Sequence, residues 1–371
     1  MNAERNKKHI LVAPLDWGLG HTTRCIPIIY ELLKQDAHVV AAGNQVQLRL
    51  LKEEFPQISY QHLNGYNVHY AARRNRFVLN MLQQVPAIVK AIRSENKWLR
   101  KTVMQHAIDG VISDNRFGLY HKDIPTVFIT HQLRIKNPLG SRMENLSQRI
   151  NYRWIRRFSR CWVPDYPEAP GLAGDLSHPE SMPAIPVEYL GPLSRMQPLA
   201  AEGVKETVLI LLSGPEPQRS VFETIVCRQL QSLKKAAILV RGLPDGGGPS
   251  LPALGTTLVY NHLPAQMLNQ LMSNAAYVVC RSGYSSVMDL QAVGAKPILV
   301  PTPGQTEQEY LAVLLHSQNR AVISSQEAFD LEGLLEKAGQ LNDALPLSSN
   351  GTALTQAVGH FLSNCGLSAP E

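Results

Sequence analysis

Val278-Val279-Cys280-Arg281-Ser282-Gly283-Tyr284-Ser285-Ser286-Val287-Met288-Asp289 is the stretch whose reading decides the fold. The apolar start is a strand, the Arg-Ser-Gly step is a small-residue turn, and a helix follows. Lys296-Pro297-Ile298-Leu299-Val300-Pro301 then gives a second strand, ending at a polar loop with Gln305-Thr306-Glu307-Gln308-Glu309-Tyr310. The Ser/Gly turn sets free backbone N–H groups and hydroxyls at a helix N-terminus, where the macrodipole favours an anion such as phosphate. Asp289 lies on the helix after Gly283, placed to accept hydrogen bonds from ribose hydroxyls. The Gln/Glu cluster on the next loop would face the same crevice. Acceptors for phosphate, ribose and sugar in one short stretch imply a nucleotide-sugar site.

Outward from this stretch the same alternation continues. His9 to Pro14 is a near-continuous apolar run, as a parallel strand buried on both faces requires. Helices follow at Thr22 to Lys34, Gln45 to Glu54, Phe77 to Gln105 (with a bend near Pro86) and Ser141 to Arg157. Strands are expected at His38 to Ala42, Ile58 to Leu63, Gly110 to Ser113, Thr126 to Thr130 and Val187 to Leu190. The Pro-rich segment from Glu168 to Pro186 reads as a loop. After a linker near residues 191–204, strands recur at Thr207 to Leu212, Ala236 to Arg241, Thr257 to Tyr260, Tyr277 to Cys280, Ile298 to Val300 and Ala321 to Ile323. Strands alternating with helices on both sides of a linker imply two doubly wound, Rossmann-like α/β domains facing across a cleft. The expected boundaries are 1–190, 205–345 and a last helix within 346–371. Ligands in such sheets bind at the C-terminal ends of strands.

The chain of 371 residues, 44% hydrophobic and 18% charged, has the size and balance of a two-domain globular protein. No run approaches the ~18 apolar residues of a membrane span. The polar start from Met1 to Lys8 leads straight into a strand, and the five cysteines form no C-x-x-C pair, so a reducing cytoplasm is expected. Net charge is +6 but uneven: residues 1–180 hold 25 Lys+Arg against 15 Asp+Glu, and the rest hold 11 against 15. The positive half is suited to an anionic acceptor or membrane surface, or is an uneven solvated surface.

The opening stretch resembles the C-terminal domain of the GT-B glycosyltransferases related to the peptidoglycan N-acetylglucosaminyltransferase, of the family 28 type. Those enzymes share the strand, the R-S-G turn, an acidic residue in the next helix and a Gln-rich loop. Asp16-Trp17-Gly18-Leu19-Gly20-His21, after the first strand, is similar to the family's N-terminal glycine loop ending in Gly-His. The resemblance implies a UDP-sugar donor in the C-terminal domain, with N-acetylglucosamine as one candidate sugar. It further implies a sugar or lipid-linked acceptor in the N-terminal domain, inversion at the transferred carbon and a last helix returning to the first domain.

Transfer from such a donor needs a stabilised diphosphate leaving group and a base for the acceptor hydroxyl. No D-x-D motif stands near a strand end, so neither a metal nor any cofactor beyond the donor substrate is expected. Gly18, Gly20, Ser213 and Gly214 are candidates to present N–H groups to the phosphates, with Arg281, Ser282, Gly283, Ser285 and Ser286, although glycines there also serve a plain tight turn. Asp289 stands at the ribose position, where the family usually has glutamate. Gln305, Gln308 and Glu309 stand toward the sugar, Glu309 replacing a family glutamine. His262 and Leu263, after a strand, are placed to read the base. His21 at the start of the first helix is the leading base, because the dipole there favours its neutral form. Asp16 is the alternative base. His131 lies in a Thr130-His131-Gln132 stretch similar to the family's His-Glu-Gln, and Asp114 at a strand end is a lesser candidate for acceptor binding.

Arg149, Arg153, Arg156, Arg157 and Arg160 interleave with Tyr152, Trp154, Ile155 and Phe158, and Arg73, Arg74 and Arg76 add charge. A basic face with aromatics suits anionic lipid, which would place the protein on the inner face of the cytoplasmic membrane. No groove-reading motif accompanies the charge, so nucleic acid is not expected. A UDP-sugar epimerase or hydrolase of the same plan, and a non-catalytic sugar-nucleotide-binding subunit, are the competing functions.

Overall fold

The computed structural model describes residues 7–66, 77–199, 205–244, 246–341 and 351–366, with the side chains of 77–85 set aside. The chain forms two compact units, one of residues 1–69, 78–193 and 349–371, the other of 70–77 and 194–348. Part of the expected linker, residues 200–204, and the basic run Arg73, Arg74 and Arg76 lie outside the described residues.

In the first unit the order is β1 (His9–Pro14), α1 (Leu19–Lys34), β2 (His38–Gly43), α2 (Gln45–Glu54), β3 (Ser59–His62), α3 (Phe77–His106), β4 (Gly110–Asp114), β5 (Thr126–Ile129), α4 (Ser141–Ile155), β6 (Arg160–Val163) and β7 (Val187–Tyr189). These seven strands form one parallel sheet in the order β3-β2-β1-β4-β5-β6-β7. The second unit holds β8 (Val208–Leu211), α5 (Gln218–Leu230), β9 (Ala237–Val240), β10 (Leu258–Tyr260), α6 (Ala265–Asn274), β11 (Tyr277–Cys280), α7 (Tyr284–Ala292), β12 (Pro297–Leu299), α8 (Thr306–Ser317), β13 (Val322–Ile323) and α9 (Leu331–Ala338). Its six strands are also parallel, in the order β10-β9-β8-β11-β12-β13. The final helix, α10 (Gly351–Asn364), packs on α1 within the first unit, where Gln35 Nε2 donates to the Thr355 carbonyl at 2.9 Å.

The strands form where apolar side chains alternate over both faces of a covered sheet. Ile10, Leu11, Val12 and Ala13 of β1 are all at 0% exposure, as are Val208, Leu209 and Ile210 of β8. Helix α1 turns Cys25, Ile26, Ile29 and Leu32 inward, the spacing of a helical apolar face. An Asn44/Gln47 capping box starts α2.

Three elements depart from the sequence expectation. Strand β6 is absent from it, because only Cys161, Trp162 and Val163 are apolar and Arg160 leads them; buried pairing between β5 and β7 overrides that weak signal. Helix α9 was likewise unforeseen, although its Leu331, Leu334, Leu335 and Ala338 enter the core. The expected Gln-rich loop is helical from Thr306, so Gln308 and Glu309 stand on the first turn of α8 and Gln305 at its N-cap. Helix α3 runs through Pro86 as one element.

Candidate functional site

In each sheet the strand order reverses once, the place where sheets of this kind bind ligands at the C-terminal strand ends. In the first unit the reversal lies between β1 and β4, with Pro14 beside Asp114. In the second it lies between β8 and β11, with Leu211 beside Cys280. Most of the sequence candidates lie near these two places, whereas His262 and Leu263 follow the edge strand β10.

At the first reversal, β1 ends and Gly18 makes the turn at φ +89°, a left-handed conformation suited to glycine, with open space where a Cβ would stand. Gly20 falls inside the first turn of α1, and His21 directly after it. The His21 Nδ1 lies 3.1 Å from Asp114 Oδ1 at the end of β4. Arg24, one helical turn on, donates through Nε to Asp114 Oδ2 at 2.6 Å and through Nη2 to Asp114 Oδ1. The same Nη2 lies 2.8 Å from His21 Nδ1, and Nη1 lies 3.2 Å from His131 Nδ1. Asp114 is at 0% exposure and Arg24 at 2%, whereas the His21 side chain keeps 17% of its surface open. Of these three, His21 is the one that keeps open surface. His131, at 3% exposure, sits behind Arg24.

Burial alone would raise Asp114, but the Arg24 and His21 charges and hydrogen bonds outweigh it and hold the carboxyl at about 2. Burial lowers His21 from its ordinary value; the Arg24 charge lowers it further, against the opposing pull of Asp114. The imidazole is thus neutral at physiological pH, through burial first and the neighbouring Arg24 cation second. A neutral ring carries one N–H. With that proton on Nδ1, donated to the charged Asp114 acceptor, Nε2 keeps its lone pair for a substrate proton.

Asp16 is drawn into structure. Its Oδ1 accepts from the Tyr66 backbone N–H at 3.1 Å, and it covers Gly65 so closely that a Cβ there would lie 1.9 Å from Oδ2. That bond occupies one oxygen of a half-buried carboxylate. Among the described residues no three His, Cys, Asp or Glu side chains converge to hold a metal ion.

At the second reversal β8 leads into Ser213 and Gly214, the latter at φ +103°, and β11 leads into Arg281, Ser282 and Gly283. Gly283 is the N-cap of α7, and no side chain caps the helix start. Gly283, Ser285 and Ser286 are half-buried. Gln308 Nε2 lies 4.0 Å from where a Gly283 Cβ would stand, so the starts of α7 and α8 are neighbours. Gln308 Oε1 accepts from the Thr302 N–H at 2.8 Å, its Nε2 donates to Gln305 Oε1, and Glu309 Oε1 accepts from the Gly304 N–H at 3.1 Å. These three side chains shape the loop after β12.

Arg281 and Ser282 are corrections. Arg281, at 1% exposure, donates to the carbonyls of Val300, Pro301 and Gln218 and to Gln326 Oε1, and stacks 4.5 Å from the Phe222 ring. Its guanidinium fastens the core, and burial lowers it to about 10. Ser282, at 0% exposure, donates its hydroxyl to the Gln308 carbonyl at 2.8 Å. After β10, His262 is exposed and Leu263 buried, leaving backbone groups to face a ligand. Asn261 is held by Arg241 Nη1 at 3.0 Å, and Arg241 in turn by Glu223.

Asp289 accepts from Ser194 Oγ at 2.5 Å. Burial raises its carboxyl to about 6, against the lowering effect of that bond and of Arg195. Thr302, at 3% exposure, has an Oγ1 with no hydrogen-bond partner among the described residues, 3.7 Å from a Cβ position on Gly214. A buried hydroxyl without a partner is costly, and a ligand oxygen there would satisfy it.

Sequence reasoning missed Arg24, Thr302 and Ser194. Arg24 carried a readable signal, since three residues on from His21 is the same helix face. Thr302 and Ser194 carried none of comparable strength.

Residues 259–353 match the glycosyltransferase family 28 C-terminal domain. Over 112 residues the chain is 36% identical to the UDP-N-acetylglucosamine–N-acetylmuramyl-(pentapeptide) pyrophosphoryl-undecaprenol N-acetylglucosamine transferase of Desulforudis audaxviator. That alignment spans 29% of this chain and 29% of the curated relative. The fold is similar to the glycotransferase of kitacinnamycin (TM-score 0.61, 14% identity, 97% of this chain and 96% of that one). It is also similar to Acinetobacter baumannii MurG (0.53, 15% identity, 97% and 99%). Arabidopsis thaliana UGT89C1, solved with UDP-L-rhamnose, matches too (0.59, 11% identity, 96% and 96%).

Proposed function

We propose that this chain, a GT-B fold carrying the family 28 C-terminal domain, is a glycosyltransferase that moves a sugar from a UDP-sugar to an acceptor hydroxyl. The nucleotide sugar belongs to the second unit. Its diphosphate would lie against the uncapped start of α7 at Gly283, Ser285 and Ser286, with Gly214 and the unpartnered Thr302 hydroxyl beside it. Its ribose hydroxyls would donate to Asp289. The acceptor belongs to the first unit, at His21. His21 Nε2 takes the acceptor proton, the freed oxygen attacks the sugar's anomeric carbon, and the carbon–diphosphate bond breaks with its electron pair leaving on the diphosphate. One such displacement inverts that carbon, and Asp114 stabilises the imidazolium formed.

The observation that carries the reading is the His21–Asp114 contact at 3.1 Å, at the strand-order reversal of the first sheet. A neutral, reachable imidazole backed by an ionised carboxylate is the apparatus for deprotonating a hydroxyl. The test is UDP release from a panel of UDP-sugars, UDP-N-acetylglucosamine among them, with and without sugar and lipid-linked acceptors. Release only with acceptor supports transfer. Release or sugar conversion without acceptor makes the protein a hydrolase or epimerase, and UDP binding without turnover makes it a binding subunit.

The acceptor is proposed to be lipid-linked and presented at an anionic membrane surface. The exposed face of α4 supports this by carrying Leu146 and Ile150, 48% and 52% exposed, beside exposed Arg142, Arg149 and Arg153. The basic set is smaller than expected on this helix. Arg156 caps it, Arg157 stacks on Trp154 at 4.2 Å, and Arg160 belongs to β6 and pairs with Glu188. Among the described residues no helix is long and apolar enough to cross a membrane. Co-sedimentation with vesicles should rise with their anionic lipid content; indifference to that content removes the membrane part of the reading.

A further inference from the structure

A base and the carboxylate behind it are two side chains, yet the first unit buries a third charged group between them. Arg24 is at 2% exposure, and its fork reaches both oxygens of Asp114, the Nδ1 of His21 and the Nδ1 of His131. A cation is not withdrawn from water to that extent unless it is paired, and here its partner is the same carboxylate that faces the imidazole. The titratable and charged groups around His21 come from three elements: Arg24 and Cys25 from α1, Asp114 from β4, and His131 from the loop after β5. Asp114 draws a proton onto the ring, whereas Arg24 opposes it.

We propose that Arg24 is a positioning residue for His21: its guanidinium clamps Asp114 in place and sets a fixed positive charge on the Nδ1 edge of the ring, so that the ring works as a neutral base. The proposal rests on His21 being the base. Its physical content is a balance. An aspartate alone beside a histidine raises the ring's affinity for a proton, and the fraction of rings already protonated is lost to base catalysis. Two charges of opposite sign beside the same nitrogen cancel most of that pull, while the carboxylate still holds the ring's orientation. Arg24 also faces the nitrogen that Asp114 needs protonated. Its bidentate grip on Asp114 uses Nε–H and one Nη2–H, while Nη2 also faces Nδ1 at 2.8 Å. Arg24 and Asp114 thus contend for that edge, and the base role requires the carboxylate to hold the ring proton on Nδ1.

The test is the His21 titration, followed by NMR on the full chain labelled at histidine, without substrate. The His21 signal is assigned by its loss in His21→Gln. In the unaltered protein it should titrate below 6.5, its ordinary value. Arg24→Gln should raise the midpoint by about 1–3 pH units, the effect of exposing an imidazole to an unopposed carboxylate. Arg24→Lys, which keeps the charge and loses the fork, should raise it less. The acid limb of kcat/KM should move with the midpoint in each variant. An unaltered protein titrating at or above its ordinary value overturns the proposal. So does an Arg24→Gln midpoint that stays put while thermal stability falls, which is what a purely structural arginine predicts. Should Arg24→Gln fail to fold, the unaltered protein and Arg24→Lys decide the matter. If the midpoints move as expected but no UDP-sugar is turned over with any acceptor, the Arg24 assignment stands and the transferase reading is the one that fails.

Discussion

The strand-order reversals of the two sheets are alike in topology and opposite in chemistry. The first gathers Asp114, Arg24, His21 and His131, charged or titratable groups bonded to one another and almost all buried. The second presents the amides of a glycine-started helix, small hydroxyls and one carboxylate, with its arginine turned into the core. A site that must move a proton needs a group whose charge can change and partners that set when it changes. A site that must receive a diphosphate needs fixed dipoles already pointing at the charge, because these need no reorganisation when it arrives. On the proposed reading, one fold would serve both tasks by what it places after equivalent strands.

The largest expected effect separates the two regions outright. His21→Ala should lower turnover by about 10²- to 10⁴-fold, the usual worth of a positioned base, and leave UDP affinity within error when measured by calorimetry. A matching loss of UDP affinity would mean that the two regions are not divided as described. Next comes Asp114→Asn. It removes the countercharge of the buried Arg24, and leaving one member of a buried pair alone costs roughly 3–5 kcal/mol. Chemical denaturation should show that loss in the first unit, whereas Ser285→Ala at the start of α7 should barely change stability.

How much of this contrast the sequence discloses depends on the range of the interactions. The strands at His9–Pro14 and Val208–Leu211 are readable because burial on both faces leaves an unbroken apolar run. Strand β6 is not, because its place between β5 and β7 is settled by pairing with segments far along the chain. The start of α8 reads as loop because Gly304 and a run of Gln and Glu lack an apolar period, yet those same side chains hold the turn together. His21 stands out in the sequence as a candidate base from its place after a glycine turn. Its link to Asp114, 93 residues away, becomes visible only when β1 and β4 lie side by side. Arg281 misled for the reverse reason. An arginine beside a phosphate-type turn looks like a ligand, and only packing shows it bonded to carbonyls within the core.

The pH dependence of stability should sharpen the contrast, because the two aspartates shift in opposite directions. Asp114, held at about 2 against an ordinary 3.8, contributes stability that is present above pH ~4 and lost as pH falls through about 2. Asp289, raised to about 6 from the same 3.8, favours the folded state below pH ~4, and that contribution is lost as pH rises through about 6. Each is on the order of 2–3 kcal/mol. Asp289→Asn should therefore flatten the alkaline side of the stability profile between pH 4 and 7 without touching the acid side. Equal change on both sides would contradict the division.

The smallest effect is the most specific to the donor. Above pH ~6 the Asp289 carboxylate is ionised in surroundings that disfavour the ion, with Ser194 as its hydrogen-bond donor at 2.5 Å. Hydroxyls of a bound ribose would add donors to that ion and relieve it, so UDP should bind more tightly at pH 8 than at pH 5. Asp289→Ala removes the acceptor, and UDP affinity should fall by roughly 1–3 kcal/mol, the range for a hydrogen bond to a charged group. The pH dependence of binding between those two values should shrink with it, while the melting temperature at pH 8 holds or rises, since an unfavourable buried charge has gone. Calorimetry showing unchanged UDP affinity in this variant would take the ribose away from Asp289. Ser194 would then be the carboxylate's whole purpose, a structural bond on α7.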